Sequence, residues 1–175
     1  RALVALADTA RKTEPWDGKW WSIQPAAQPP PAKSIDWEWT GTALAGSCAA
    51  LEDTSADVRL ASIRAIEELK DQGALAGIHA RWARETDPRV RIAILDLLGA
   101  LRDPAAVVVI GSVLTSSTAS EDERTHAVQS AARIGSPATI ALLVSIAGDD
   151  SALDAQVLPC LAALGRQGDV RSVAT

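Results

Sequence analysis

The sequence predicts an all-α fold in which helical hairpins stack side by side into a right-handed α-solenoid. Two observations support this prediction. Four stretches of the chain resemble one another at a nearly constant spacing, and each contains two helical stripes of apolar residues. One segment departs from this pattern: residues 14–41 hold five of the six tryptophans and are not predicted to be helical.

The spacing of the repeats is close to one helical hairpin. Their first helices end at the apolar residues Leu69, Leu101, Ile134 and Leu164, which are 32, 33 and 30 residues apart. The second helices begin near Gly73, Pro104, Ser136 and Gly168. A period in this range is typical of stacked hairpins, each of which buries its apolar face only against its neighbours. We expect one domain over 1–175, with repeats at about 1–53, 54–86, 87–119, 120–149 and 150–175.

The unit at 87–119 shows how each hairpin is assigned. Asp87 is a candidate N-cap and Pro88 suits the first helical turn. The apolar residues that follow at helical spacing are Val90, Ala93, Leu97 and Leu101. Arg102 and Asp103 interrupt that stripe, and Pro104 begins the second helix. The same repeat spacing predicts that residues 1–12 and about 42–52 are the first and second helices of the first hairpin.

The segments "DVRLASIRAIEEL" and "RVRIAILDLLGAL" carry a D-x-x-V-R-x-A-like signature and an A-L-G-like ending. They resemble HEAT repeats, in particular the short bacterial type that also occurs in phycobilin lyases. The resemblance covers about residues 42–175 and implies a solenoid. Such arrays serve many partners, so the resemblance implies an interaction or scaffold role without naming a partner.

Residues 13–41 are predicted to be a non-helical insertion between the two helices of the first hairpin. Prolines at 15, 25 and 29–31 forbid a helix there. The stretch "SIDWEWT" alternates apolar and acidic residues, which predicts an extended strand. Because disordered segments are poor in aromatic residues, we expect an ordered strap.

The insertion supplies the candidate interaction or strap-packing residues, which are Trp16, Trp20, Trp21, Trp37 and Trp39. Three roles stay open for them. They could pack the strap onto its own hairpin, contact a partner domain, or form a platform for stacking a sugar. We favour the first role and expect Trp20, Trp21 and Trp37 to be mostly buried.

The insertion also resembles a linker found in large bacterial secreted or periplasmic proteins. These join a sugar-dehydrogenase-like propeller, a HEAT-like array and a c-type haem domain. The matching residues are Asp17, Gly18, Trp20, Trp21, Pro25, Lys33, Trp37 and Glu38. Ser22 and Trp39 depart from the pattern, since both stand where glycine is usual. This resemblance implies a periplasmic or secreted location, and the start inside a helical pattern leads us to expect a fragment of a larger protein.

Composition narrows the classes of partner. Asp and Glu outnumber Lys and Arg by 22 to 17, for a net charge of −5. A protein that binds nucleic acid needs clustered cations, so this balance argues against nucleic acid. No run of 18 apolar residues is present, and the sequence therefore predicts no membrane span.

No catalytic residue, metal site or cofactor site is predicted. His79 and His126 have no carboxylate at i+4 that would make a metal pair. Cys48 and Cys160 fall in apolar helical settings, so we expect both to be small core residues. Trp82 is in phase with later core residues, so we expect it in the core. The acidic run at 121–123 is expected to cap a helix.

Arginines stand near the start of the first helix of several hairpins, and we expect them to link neighbouring repeats. We predict a ladder in which Arg59, Arg89 and Arg91 pair with Asp57 and Asp87.

The sequence therefore predicts a non-catalytic interaction or scaffold module. Its partner would be another protein or neighbouring domains of the same chain, held on a face formed by the second helices. One alternative is an accessory domain of a periplasmic, haem-containing, sugar-dehydrogenase-like enzyme. Another is a HEAT-like lyase or hydroxylase. A downstream C-x-x-C-H motif would favour the accessory domain.

Overall fold

The structure is a computed structural model that describes residues 10–14 and 34–148, with Ala162 and Gly165 as isolated helical positions. Seven α-helices pack in a row within these residues, which confirms the predicted α-solenoid. They are α1 Thr40–Ala49, α2 Ala56–Leu69, α3 Leu75–Trp82, α4 Pro88–Ala100, α5 Val107–Thr115, α6 Glu121–Ile134 and α7 Pro137–Ala147. Short 3₁₀ turns at Ala50–Glu52, Gln72–Ala74 and Pro104–Ala106 adjoin α1, α3 and α5.

The helices form two rows. The first helices of the hairpins are α2, α4 and α6, and α4 packs against both of its counterparts. The second helices are α1, α3, α5 and α7, and α5 packs against α7. The main apolar core lies between the rows, and its largest fully buried side chains include Ile66, Ile78, Leu97, Ile110 and Leu143. A second, smaller apolar cluster consists of Ala10, Ala43, Ala65 and Leu69.

The helix starts follow the local signals of the sequence. Asp87 Oδ1 accepts a hydrogen bond of 2.9 Å from the Arg89 amide, and Pro88 occupies the first turn of α4. Ser120 and Glu123 form a reciprocal capping box at the start of α6. The N-cap predicted at Asp87 and the capping role predicted for the acidic run at 121–123 are therefore confirmed, whereas the cap at Ser120 was not predicted.

The first helices end in the same backbone conformation in every described hairpin. Lys70, Arg102 and Gly135 have φ values of 52°, 53° and 62°, which lie in the left-handed region. Glycine adopts this conformation without steric cost, whereas lysine and arginine do not. The recurrence 32 and 33 residues apart is the backbone counterpart of the sequence period.

The prediction of a helix over residues 1–12 is wrong at its C-terminal end. Arg11–Thr13 is a strand, β1, which pairs antiparallel with β2, Ser34–Asp36, so the fold is not all-α up to residue 12. The strand persists because distant groups hold it. Arg11 Nη2 donates to the Leu69 carbonyl over 3.1 Å, and the Thr40 hydroxyl donates to the Ala10 carbonyl. These contacts override the helical pattern of the segment.

The strand predicted in "SIDWEWT" is confirmed for Ser34–Asp36, and the helix predicted at about 42–52 is confirmed as α1. Residues 1–9, 15–33 and most of 149–175 lie outside the described residues. The predicted bounds of the insertion and of the five repeats remain predictions. None of the described helices is long and apolar enough to cross a membrane.

Candidate interaction face

Charge is distributed unequally between the two rows of helices. The second helices α1, α5 and α7 contain no charged residue, and α3 contains only Arg81 besides His79. The first helices α2, α4 and α6 contain five, three and five charged residues. Arg81 does not offset this difference, because its guanidinium is directed to the buried Glu85 carboxylate over 2.9 Å.

The side chains that the second helices expose are small or apolar. We call them the uncharged face, and its members are Gly41, Thr42, Ala45, Ala49, Ala76, Ala80, Val108, Ser112, Thr115, Pro137, Ala138, Ala141 and Ser145. Val108 is the largest of these side chains and is 76% exposed. Solvated helix faces ordinarily carry charged and polar residues, so an exposed row without any charge is unusual.

A buried ion pair joins α2 to the loop before α4. Arg59 Nε and Nη2 donate to the two oxygens of Glu85 over 2.8 and 2.9 Å, and both side chains are almost fully buried. Burial alone would raise the pKa of Glu85. Hydrogen bonds from Arg59, Arg81 and the amides of Thr86 and Asp87 outweigh burial and lower that pKa to about 2. Glu85 is therefore ionised at neutral pH, and its carboxylate holds two arginines and two backbone amides together.

A second ion pair continues along the array. Arg91 Nε contacts Glu123 Oε1 at 2.5 Å, and the Arg91 guanidinium lies over the Trp82 ring at 4.0 Å from its centroid. Burial would raise the pKa of Glu123, but hydrogen bonds from Arg91 and from the Ser120 amide lower it. Trp82 was expected in the core; it packs against the core but is only half-buried, with the Arg91 guanidinium over one face of its ring.

The predicted arginine ladder is right for one residue and wrong for two. Arg89 pairs with Asp57 and with Asp87, each at 3.1 Å. Arg59 and Arg91 instead pair with Glu85 and Glu123. The signal that the prediction missed is a glutamate at each of these junctions that lies deeper in the interface than the aspartates do.

Each histidine contacts an aspartate of a neighbouring repeat. His79 Nε2 lies 2.6 Å from Asp103 Oδ2, and His126 Nδ1 lies 2.9 Å from Asp96 Oδ1. These partners are 24 and 30 residues away in sequence, so a search at i+4 does not find them. In the part of the chain that the structure describes, no three His, Cys, Asp or Glu side chains are arranged to hold a metal.

Cys48 occupies the position on α1 that His79 occupies on α3. Its thiol lies 3.7 Å from Asp71 Oδ2 and is half-buried, rather than buried in the core as expected. Burial, the charge of Asp71 and their hydrogen bond all raise the pKa of this thiol. Cys48 is a free thiol, and Cys160 lies outside the described residues.

Two of the five candidate tryptophans are described. Trp37 is half-buried, and the Lys12 ammonium lies 3.9 Å from its ring centroid. Trp39 is 55% exposed at the N-terminus of α1. Trp16, Trp20 and Trp21 lie outside the described residues, so packing and interaction both remain predictions for these side chains.

Comparison with known proteins identifies the repeat. A family model described as HEAT repeats matches residues 44–122 and matches again over residues 84–158. The two matches together cover all the helices from α2 to α7. No curated protein matches the chain.

Proposed function

The chain belongs to the HEAT-repeat family, and we propose that it is a non-catalytic scaffold module that binds a protein partner on its uncharged face. HEAT repeats indicate a repeat-based interaction module, and this family membership is the starting point. The observation that carries the proposal is the separation of charge between the rows, which leaves Val108 exposed among uncharged neighbours.

The composition of the uncharged face favours a protein over other partners. Nucleic acids and anionic membrane surfaces are bound through Lys and Arg, which the face lacks. Its small side chains let a partner backbone approach closely, and helices that pack in this way come within about 8 Å of each other. A helix with an uncharged side therefore fits this face best.

The resemblance of the Trp-rich insertion to a known linker supports a more specific proposal about the larger protein that contains this module. It favours an accessory domain in a larger periplasmic or secreted protein with a dehydrogenase-like and a haem domain. In that setting the partner would be a neighbouring domain of the same chain. A C-x-x-C-H motif downstream in the same gene, together with a c-type haem spectrum of the full-length product, would test this setting.

Site-specific photo-crosslinking tests the interaction face. A photoreactive phenylalanine analogue is placed at Val108 or at Ala141 in the full-length protein, expressed in its own host. The matched control carries the analogue at Gln129, an exposed position on the charged row. We expect both face positions to crosslink to one defined protein segment, identified by mass spectrometry, and Gln129 to give no such product.

A charge introduced into the face provides a second readout. Val108→Glu should abolish that crosslink from position 141, because the carboxylate would be desolvated on binding. Gln129→Glu adds the same charge to the other row and should leave the crosslink intact. Equal yields from positions 108, 141 and 129, or an unchanged crosslink in Val108→Glu, would refute the proposal.

A further inference from the structure

Two exposed cations occupy backbone positions that favour glycine. Lys70 lies one residue after the end of α2 and Arg102 two residues after the end of α4, with φ values of 52° and 53°. A left-handed conformation costs a side-chain-bearing residue about 1–2 kcal/mol relative to the right-handed one. The third hairpin has Gly135 at the same position and avoids this cost. The helix ending sets this backbone, because the Asp71 amide donates to the Ile66 carbonyl and the Asp103 amide to the Leu98 carbonyl. These bonds do not require a cation in place of glycine.

Capping of the helix ends does not explain the two cations. A lysine or arginine at a helix C-terminus commonly binds the last carbonyl groups. Here the Leu69 carbonyl accepts from Arg11 Nη2, and the Leu101 carbonyl accepts from Gln72 Nε2, each over 3.1 Å. The preceding part of the array therefore supplies these caps.

The two cations also lack partners on the array itself. Among the residues that the structure describes, the side chains of Lys70 and Arg102 make no hydrogen bond and no ion pair, and both are exposed. Most other arginines there are paired, including Arg59, Arg89 and Arg91. Their charges are therefore available to another molecule.

The two side chains lie on the same edge of the array in consecutive hairpins. The bond from Gln72 to the Leu101 carbonyl joins the loop that follows Lys70 to the end of α4, immediately before Arg102. Packed helices lie about 8–10 Å apart, so the two side chains start about one helix spacing from each other. Two carboxylates at i and i+3 of a polyproline II segment lie on the same side of the chain and about 9 Å apart.

We propose that Lys70 and Arg102 form a paired cationic contact for an acidic segment of a protein partner. This edge contact is distinct from the uncharged face and does not depend on it. An acidic protein segment fits better than nucleic acid, because two cations neutralise only two phosphates, whereas affinity for a phosphate backbone comes from neutralising many. Exposed Glu67 and Glu68 lie at the end of α2 and weaken the contact without removing it.

The probe is a fluorescein-labelled peptide of ten glutamates, and its binding to the whole chain is measured by fluorescence polarisation at low ionic strength. Lys70→Asn and Arg102→Asn remove the charges and keep the backbone, since asparagine tolerates the left-handed region. Arg64→Gln removes another exposed, unpaired charge, this one on α2, and is the matched control. Thermal unfolding verifies that every variant folds.

We expect each asparagine variant to weaken binding about two- to fivefold, the range for an exposed charge pair. Glu68→Gln should strengthen binding, and Arg64→Gln should leave it within about twofold. The proposal is overturned if the parent chain shows no saturable binding, or if Arg64→Gln weakens it as much as Lys70→Asn. Tighter binding of a single-stranded DNA decamer, lost in the same two variants, would also overturn it.

Discussion

Gly99 on α4 and Ser130 on α6 cross so closely that a Cβ on Gly99 would lie 2.9 Å from the Ser130 Cα. The Ser130 hydroxyl donates to the Leu95 carbonyl over 2.7 Å and fixes the same crossing. At this point α4 and α6 therefore approach as closely as their backbones permit, and only glycine fits without a shift of either helix.

Gly99→Ala should lower the free energy of unfolding by about 1–3 kcal/mol, because the added methyl group forces α4 and α6 apart. Urea unfolding measures the change. Gly111→Ala is the matched control, since its nearest neighbour is a Leu142 side-chain carbon at 3.8 Å. This control should be neutral or stabilising by up to about 1 kcal/mol, because alanine favours the helix. Equal effects at the two sites would contradict the close crossing.

Glu85→Gln should destabilise the protein at pH 7 by about 3 kcal/mol, because it leaves the buried Arg59 charge without its carboxylate. The pKa of Glu85 falls from 4.5 to about 2 on folding, so the carboxylate stabilises the fold above pH 4.5. That contribution is lost as the pH falls through about 2. The gap in unfolding free energy between parent and variant should therefore be constant from pH 7 to 5 and narrow below pH 4.5.

Urea unfolding at several pH values between 7 and 3 measures that gap. Asp57→Asn is the control, since Asp57 pairs with Arg89 on the surface and its removal should cost less than about 1 kcal/mol. A gap that stays constant down to pH 3 would show that Glu85 is not held ionised by its partners.

Trp82→Ala should cost about 2–3 kcal/mol. A fully buried tryptophan loses about 3–5 kcal/mol on truncation, but Trp82 is half-buried and its ring also faces the Arg91 guanidinium. Trp39→Ala removes a 55% exposed ring and should change stability by less than about 0.5 kcal/mol. Chemical denaturation of both variants gives the comparison, and a loss below about 1 kcal/mol for Trp82→Ala would contradict the packing against Arg91.

Asp71→Asn should make Cys48 react faster with a thiol-alkylating reagent at pH 8. Burial, the Asp71 charge and the hydrogen bond from the thiol raise the pKa of Cys48, and the substitution removes the charge. A lower pKa increases the reactive thiolate fraction at fixed pH. The rate is measured by mass spectrometry in a Cys160→Ser background. Identical rates with aspartate and asparagine at position 71 would rule out this electrostatic control.

The prediction that Cys48 and Cys160 do not form a disulfide follows from the repeat spacing. The two residues are more than three repeats apart in sequence, and a disulfide requires Cα atoms within about 7 Å. Peptide mapping under non-reducing conditions should therefore find no 48–160 bridge. Detection of that bridge would contradict the predicted stacking of the last repeat.

The sequence by itself determined the repeat, the hairpins and most helix starts. These features depend on interactions within one or two helical turns. The caps at Asp87 and Ser120 bond amides two and three residues away, and the apolar stripes follow the 3.6-residue period of a helix. Local rules of this kind are readable without knowledge of the packing.

Only the tertiary structure decided which distant groups meet. Arg59 lies 26 residues from Glu85, and His79 lies 24 residues from Asp103, so each bond crosses about one repeat. Several carboxylates lie near each of these arginines in sequence. The packing of the helices decides which carboxylate is buried beside the arginine and pairs with it. The strand at Arg11–Thr13 has the same origin, because its backbone is held by β2 and by contacts to Thr40 and Leu69 rather than by its neighbours in sequence.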